Sequence, residues 1–187
     1  MNLAAYRPRP PVVPPLVVHR SAIPASDWHG QLRDGALRLV WGDVAVAADV
    51  ALTPELRALA LAALVPERAV VGRGSALWVH VGRPEPGRLE VLVGRGARHT
   101  APHPLRVSAE ADLAPDDVVR LAGVRVTSVQ RTGTDVARWL PTREAVALVT
   151  DLVPLGFDLD LARTELDRLR GQRHVRTAQR TLALVGR

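Results

Sequence analysis

The spacing of apolar residues switches along the chain between the two-residue period of strands and the three-to-four-residue period of helices. Short alternating segments predict strands at 37–41 and 44–47, joined by the hairpin signal Gly42-Asp43. Further strands are predicted at 69–71, 89–93, 105–108, 118–121 and 124–127. Helices are predicted at 25–34, 53–64, 129–140, 142–155, 158–170 and 173–185, whereas 75–81 fits either a helix or a strand. The pattern indicates an α/β fold of the α+β kind, with a mixed sheet followed by C-terminal helices.

Polar residues mark where two of these helices begin. Thr53 followed by Pro54 is a typical helix start, with an N-cap hydroxyl and a proline at the first helical position. Ser26 or Asp27 is expected to cap the helix at 25–34, and Gly35 to end it.

The most informative segment is 123–140, where a strand passes directly into a helix. Thr127 and Ser128 both offer capping oxygens at this junction, and Thr127 is the favoured cap. Arg131 and Asp135 lie four residues apart, so they meet on one helix face. A structural role for this pair, as a partly buried ion pair that braces the junction, is favoured over a functional one.

The last predicted helix separates apolar and basic residues most clearly. One face carries Val175, Ala178, Leu182 and Val185. The opposite face carries Arg173, Arg176, Arg180 and Arg187. Such an arginine row is either a solvated surface or a face that follows nucleic-acid phosphates.

Composition narrows the classes of protein. With 47% apolar residues the chain has enough material for a core. It has no cysteine, which excludes disulfides, thiolate metal sites and thiol nucleophiles. The sequence shows no signal-peptide pattern, and its longest apolar run, 59–65, is too short to span a bilayer. A soluble, cytoplasmic protein that does not contact membranes is expected.

The charge is uneven, although the net value is only +6. Residues 73–106 hold six arginines and two acidic residues, and residues 163–187 hold seven and two. Residues 107–162 between them hold five arginines and nine acidic residues. Two basic blocks flanking an acidic one fit either an anionic partner or pairing of the blocks within the molecule.

Candidate catalytic chemistry is weak. His99 and His103 have a helical ligand spacing, but Pro102 and Pro104 make a helix there unfavourable. Four acidic residues fit helix caps and turns better than a metal site: Asp116, Asp117, Asp158 and Asp160. The glycine-rich segments 72–74 and 94–96 match no phosphate-binding pattern. No catalytic residue, metal or cofactor is predicted, and the chain is not expected to be an enzyme.

Four segments resemble, in order and spacing, the AbiEi family of antitoxins from type IV toxin–antitoxin pairs, and above all its actinobacterial members. The most characteristic is Val-Thr-Ser at 126–128, followed by Arg-Thr at 131–132 and Asp-Val-Ala at 135–137. The segments 75–80, 113–119 and 38–47 are similar to further parts of the family pattern. The resemblance covers about 35–185 and implies an N-terminal winged helix that binds DNA.

The resemblance also implies the domain organisation. A Pro-rich flexible arm (1–15) would precede a reduced winged-helix-like region (16–50) and an AbiEi-like α/β domain with a basic C-terminal helix (51–187). The family has about three helices before the wing, and this chain has one. Ser26, Trp28, His29, Gln31 and Arg33 are the side chains that this helix could offer to DNA. The nuclease-like extension of some relatives has no counterpart after Arg187.

The functional expectation is a DNA-binding transcriptional regulator of the antitoxin type, whose partners would be DNA and a cognate nucleotidyltransferase toxin or another protein. Contacts mainly to the DNA backbone are assigned to arginines in both basic blocks and in the N-terminal region: Arg33, Arg38, Arg73, Arg173, Arg176 and Arg180. The alternative is a non-catalytic adaptor that has lost specific DNA reading and binds a protein through the same scaffold.

Overall fold

The computed structural model describes residues 16–96 and 101–185, which form an α+β fold in two compact units, 1–50 and 51–187. The Pro-rich arm expected at 1–15 lies outside the described residues. Each unit has its own sheet and its own core.

The first unit is a small antiparallel sheet packed against one helix. Its elements are β1 (Val18–His19), α1 (Ala25–Arg33), β2 (Leu37–Trp41) and β3 (Val44–Ala47), with a short 3-10 turn at Arg20–Ala22. The strand order is β1-β3-β2, so the first strand pairs with the second arm of the hairpin. Trp28, Leu37 and Ala45 form the core. The hairpin turn lies at Gly42, whose φ of 54° favours glycine.

The start of α1 differs from the sequence expectation. Neither Ser26 nor Asp27 caps it, because the N-cap residue is Pro24, which has no side-chain acceptor. Both polar residues therefore lie inside the first turn, where the Ser26 hydroxyl donates to the Asp27 carboxylate over 3.2 Å. Proline at this position sets the helix start through its fixed φ rather than through a cap.

The second unit contains a five-stranded mixed sheet. Its first elements are α2 (Pro54–Leu61), β4 (Val70–Val71), α3 (Arg73–Val81), β5 (Leu89–Val93) and β6 (Arg106–Glu110). They are followed by β7 (Val118–Leu121), β8 (Val124–Thr127), α4 (Val129–Trp139), α5 (Thr142–Leu152), α6 (Leu159–Arg168) and α7 (Val175–Leu182). Short 3-10 turns lie at Ala62–Leu64, Pro115–Asp117 and Val153–Leu155. The strand order is β6-β5-β4-β8-β7, with parallel pairing of β5 with β6 and of β4 with β8.

Helix α4 packs against α3, α5 and α7, and the apolar core of this unit lies among these helices. The buried apolar face of α7 is the one that the spacing predicts: Val175, Ala178 and Leu182, continued by Val185. The helix is shorter than the predicted 173–185. It begins after His174, whose left-handed φ of 62° leaves Arg173 outside the helix. Arg187 lies outside the described residues.

A buried arginine joins α2 to the end of α3. Thr53 caps α2 as expected, accepting from the Leu56 amide over 3.4 Å. Arg57, one turn later, donates to the carbonyl oxygens of Val79 (2.8 Å) and His80 (3.2 Å). These carbonyls belong to the last turn of α3, where helices leave acceptors unpaired. The segment that fitted either a helix or a strand is therefore a helix, held at its C-terminal end by a guanidinium group.

His80 connects α3 to β8. Its Nε2 lies 2.8 Å from the carbonyl oxygen of Thr127, and because a carbonyl only accepts, Nε2 carries the proton. Burial lowers the pKa of His80, the Thr127 hydrogen bond opposes this shift, and the charge of Arg57 adds to it. The folded state therefore holds the imidazole neutral at a pH where the unfolded chain binds a proton.

Close packing explains the glycine inside α4. A Cβ at Gly133 would overlap the buried ring of Phe157. We expect Gly133→Ala to lower the free energy of unfolding by about 1–3 kcal/mol, because overpacking outweighs the helix propensity gained. Gly30→Ala is the matched control, since Gly30 also lies within a helix and a Cβ there meets nothing within 4 Å. Urea denaturation followed by circular dichroism measures both, and a Gly133→Ala protein as stable as Gly30→Ala would contradict this packing.

The neutral His80 predicts a pH dependence of stability. A lowered folded-state pKa gives stability that is present above the ordinary histidine pKa of about 6.5 and is lost as the pH falls through the folded-state value. The wild type should lose at most about 1.4 kcal/mol per pH unit between pH 7 and 5 from this group. His80→Gln keeps an amide donor but cannot titrate, so its urea midpoints should fall less over this range. Parallel pH profiles for the two proteins would rule out the neutral buried imidazole.

Candidate functional site

The junction between β8 and α4 is capped by Ser128. The Arg131 amide donates to the Ser128 hydroxyl over 3.3 Å, so the expectation that Thr127 is the cap was wrong. Thr127 is still the last residue of β8, paired with Val118. Its hydroxyl lies 2.7 Å from that of Thr132, and both residues are fully buried. Thr127 therefore joins the strand to the first turn of α4 from inside the core.

Arg131 holds this junction through carboxylates on two different elements. Its Nε lies 3.0 Å from Asp135 on α4, and its Nη1 lies 2.8 Å from Asp117 in the 3-10 turn before β7. Nη1 also donates to the carbonyl oxygen of Asp112 over 2.9 Å. The exposed fraction is 16% for the Arg131 side chain and 3% for that of Asp135, so solvent screens this pair little.

Burial and charge act in opposite directions on this pair. Burial raises the pKa of Asp135, and the neighbouring Arg131, Arg138 and Arg73 oppose that shift. Burial also disfavours the charge of Arg131, but the Asp135 and Asp117 carboxylates outweigh it and raise the pKa of Arg131. The guanidinium therefore stays charged and needs its two carboxylates.

One face of α4 lines a cleft of about 900 Å³. Arg131, Thr134, Asp135 and Arg138 follow the helical spacing of that face. The segment after β6 and the connection between α6 and α7 contribute other walls. Six arginines line the cleft: Arg73, Arg95, Arg131, Arg138, Arg168 and Arg173. A cleft of this volume can enclose a small organic molecule.

Three of these arginines are already paired with carboxylates. Arg131 has Asp117 and Asp135, Arg95 lies 3.1 Å from Asp112, and Arg73 lies 4.0 Å from Glu90. Among the residues that the structure describes, no ion pair is formed by the other three: Arg138, Arg168 and Arg173. The unpaired cations lie toward the end of α4 and the α6–α7 connection.

Trp139 lies among cations at one end of the cleft. The guanidinium carbon of Arg73 is 4.3 Å from the centre of its ring, a cation–π distance, and that of Arg138 is 5.9 Å away. The His174 ring packs 4.6 Å from the same ring. The exposed fraction of Trp139 is 38%.

Two residues beside Trp139 have a left-handed backbone, which non-glycine residues rarely adopt. Arg73 has a φ of 50° and His174 a φ of 62°. Each such conformation costs about 1–3 kcal/mol and persists only where the surroundings impose it. Two of the three described non-glycine residues with positive φ therefore contact the Trp139 ring, whereas the third, Ala122, lies in the β7–β8 turn.

The six arginines assigned to DNA occupy three separate places. Arg73 and Arg173 line the cleft, whereas Arg176 and Arg180 are exposed on α7. Arg33 and Arg38 belong to the first unit, where Arg33 pairs with Asp34 at 3.0 Å and Arg38 donates to the Val50 carbonyl over 2.6 Å. Sequence reasoning missed Arg138, Arg168 and Trp139. The signal for Arg138 was its position seven residues after Arg131, on the same helix face.

One of the five α1 side chains that were expected to be available to DNA is buried. Trp28 is 3% exposed and forms the centre of the first unit's core, so it is not available to a DNA groove. His29, Gln31 and Arg33 are not buried.

The acidic residues considered for metal binding serve local structure. Asp158 caps α6 by accepting from the amides of Asp160 and Leu161, both over 2.9 Å. Asp117 accepts from the Ala114 amide over 2.9 Å, in addition to its contact with Arg131. Residues 16–96 and 101–185 contain no group of three potential metal ligands, and His99 lies outside them. None of the helices in these ranges is long and apolar enough to cross a bilayer.

No protein-family model matches the chain, and no curated protein matches it. Among solved structures, the chain is similar to the RV2827C protein from Mycobacterium tuberculosis. The sequence identity is 16% and the TM-score 0.39, with 92% of this chain and 78% of that chain covered. A likeness this distant carries no argument about fold or function.

The buried ion pair predicts a large effect of removing one carboxylate. Asp135→Asn should lower the free energy of unfolding by about 3–5 kcal/mol, because it leaves Arg131 short of one partner among other cations. Asp151→Asn is the control for a more exposed pair: the Arg83 side chain is 63% exposed and that of Asp151 26%, so the loss should be only about 1 kcal/mol. Urea denaturation at pH 7 measures the free energy of unfolding of both variants. Equal losses of stability would show that burial does not determine how much the Arg131–Asp135 pair stabilises the fold.

Proposed function

We propose that the protein is a DNA-binding regulator that contacts the phosphate backbone through α7. The observation that supports this is the exposed face of α7, where Arg176 and Arg180 project opposite the buried Val175, Ala178 and Leu182. Within the described ranges neither guanidinium forms an ion pair or a hydrogen bond, and Arg173 precedes them just outside the helix. These cations are therefore free to exchange solvent for phosphate.

The spacing of these residues suits a polyanion. Arg176 and Arg180 lie four residues apart, which is about 6 Å along the helix axis. Duplex DNA carries one negative charge per about 1.7 Å of its axis, so several phosphates lie within the length of α7. Guanidinium groups pair with phosphate in a bidentate manner. Contacts of this kind give affinity without base specificity.

The proposal extends to the antitoxin class on the resemblance alone. The segment that carries it, 126–137, spans the β8–α4 junction, and Arg131 and Asp135 within it are paired with each other. By analogy with the AbiEi family, the protein would act in the cytoplasm, repress its own operon and counter a nucleotidyltransferase toxin. A neighbouring nucleotidyltransferase gene would support that extension.

A second candidate function is a non-catalytic adaptor. It is favoured by the first unit, where α1 is the one α-helix among residues 16–50 and its tryptophan is buried in the core. A recognition helix normally needs supporting helices and several outward side chains. An adaptor with this scaffold would bind a protein partner and show no salt-dependent affinity for DNA.

The DNA proposal predicts a steep salt dependence that α7 controls. Wild-type protein should bind a random-sequence duplex of about 20 base pairs, with log K falling linearly against log salt by about 0.9 per phosphate contact. Arg176→Gln/Arg180→Gln should weaken binding and reduce that slope by about 2. Fluorescence anisotropy titrations from 50 to 200 mM salt measure both quantities.

Arg120→Gln/Arg143→Gln is the matched control, because it removes the same charge from exposed positions on β7 and α5. The slope of log K against log salt for this control should match that of the wild type, apart from a small change caused by the lower net charge. Binding that is absent, insensitive to salt, or equally weakened by both double variants would reject the α7 interface and favour the adaptor.

A further inference from the structure

We propose that the arginine-rich cleft binds a phosphate-bearing small molecule of about mononucleotide size, with its phosphates against Arg138, Arg168 and Arg173 and its organic part beside Trp139. This inference goes beyond DNA binding, because it assigns a separate site and a separate class of ligand to the same unit. It rests on the charge, the burial and the geometry of the cleft.

Charge is distributed unevenly around a single buried carboxylate. Asp135 interacts electrostatically with three guanidinium groups, those of Arg131, Arg138 and Arg73. It lies within ion-pair distance of Arg131 only. Arg138 is half-buried, and no carboxylate of the described residues lies within that distance of it. An anion in the cleft would provide the missing counter-charge.

The hydrogen bonds of Arg138 are incomplete. Its Nη2 donates to the carbonyl oxygen of Arg173 over 3.1 Å, but its Nε is buried without an acceptor. Arg138 is the one residue with such an orphaned side-chain atom among those the structure describes. Buried donors are normally paired, so this one marks a place where an acceptor belongs. Burial lowers the pKa of Arg138, the Asp135 carboxylate opposes this shift, and the charges of Arg131 and Arg73 add to it. A phosphate bound beside Arg138 would supply both an acceptor and a counter-charge.

One end of the cleft is aromatic. Trp139 is partly exposed, and the strained residues Arg73 and His174 both contact its ring. Strained backbone positions cluster at ligand sites, where the surroundings fix a geometry that the chain alone would avoid. An indole flanked by cations suits a planar, electron-rich group such as a nucleobase.

The carboxylates of the cleft limit where a phosphate can lie. Asp112, Asp117 and Asp135 already pair with Arg95 and Arg131. Glu110 and Glu165 also line the cleft and form no ion pair within the described residues, so they repel an anion from their side. Glu165 lies one turn before Arg168 on α6, so the ligand's phosphates are placed at Arg138, Arg168 and Arg173, where three cations outnumber this one carboxylate.

Isothermal titration calorimetry at 50 mM salt tests the proposal, with ATP and inorganic pyrophosphate as probes and no magnesium. We expect one ATP per chain on the wild type. Arg168→Gln, which changes an exposed side chain, should weaken ATP binding by about tenfold, in line with loss of one charge-assisted contact. Arg143→Gln on α5, outside the cleft, is the matched control and should bind as the wild type does.

Two further variants test separately how the cleft binds the phosphates and the organic part of the ligand. Trp139→Ala should weaken ATP more than pyrophosphate, and Arg138→Gln should weaken both, with circular dichroism confirming that each variant is folded. Any of three results overturns the inference. The wild type does not bind ATP, the ATP affinity falls equally in Arg168→Gln and Arg143→Gln, or the double variant Arg138→Gln/Arg168→Gln still binds ATP.

The same titration keeps this inference distinct from the DNA proposal. Arg176→Gln/Arg180→Gln should leave ATP binding unchanged, because both residues lie outside the cleft lining. ATP affinity lost in that double variant would place the phosphate site on α7 and refute the cleft. ATP binding without any DNA binding would support the cleft while rejecting the DNA proposal.

Discussion

The contact between Arg131 and its two carboxylates is the constraint on which the second unit depends. It ties Asp117, before the β7–β8 hairpin, to Asp135 on α4, which follows that hairpin. The Ser128 amide reinforces the link by donating to the Asp117 carbonyl over 2.8 Å. The direction in which α4 leaves the sheet is therefore fixed at its first turn. Since α3, α5 and α7 all pack on α4, their positions follow from that direction.

Fixing a helix in this way has an electrostatic consequence. A buried carboxylate needs cations, and Asp135 has three guanidinium groups near it. Arg131 pairs with Asp135 directly and Arg73 pairs with Glu90, whereas Arg138 forms no ion pair among the described residues and leaves positive charge on the α4 face. The bracing of the junction and the cationic character of the cleft are thus two results of one arrangement. Structural and binding roles need not belong to different residues here.

Local signals in the sequence were enough to predict most elements of the fold. The two-residue spacing of apolar residues predicted β2, β3, β7 and β8. The helical spacing predicted α4 to α7, with errors of a few residues at the ends of the helices. Those errors have physical causes. Thr127 and Ser128 are chemically equivalent caps, and only the strand pairing of Thr127 excludes it. The late start of α7 comes from the left-handed His174, which no periodicity reveals.

Tertiary contacts account for what the sequence could not show. A strand was predicted at 69–71, where β4 lies, but its place between β5 and β8 comes from pairings that join distant segments of the chain. The cleft is likewise assembled from α3, α4, α6 and the segment after β6. Sequence analysis singled out three of its six arginines, Arg73, Arg131 and Arg173, but the others did not stand out, because all 25 basic residues of the chain are arginine.

The role of each arginine depends on how deeply its side chain is buried and on which groups it contacts. Arg57 is 8% exposed and satisfies carbonyl groups, so its charge serves the end of a helix. Arg131 is nearly as buried and serves two carboxylates. Arg138 is half-buried with one donor unsatisfied, whereas Arg176 is exposed and bonds to nothing in the described chain. A cation held in place but left incompletely paired is pre-organised for an anion, and one free in solvent must lose side-chain entropy first. By that reasoning Arg138 suits a small specific ligand, and the α7 row suits a polyanion bound through many weak contacts.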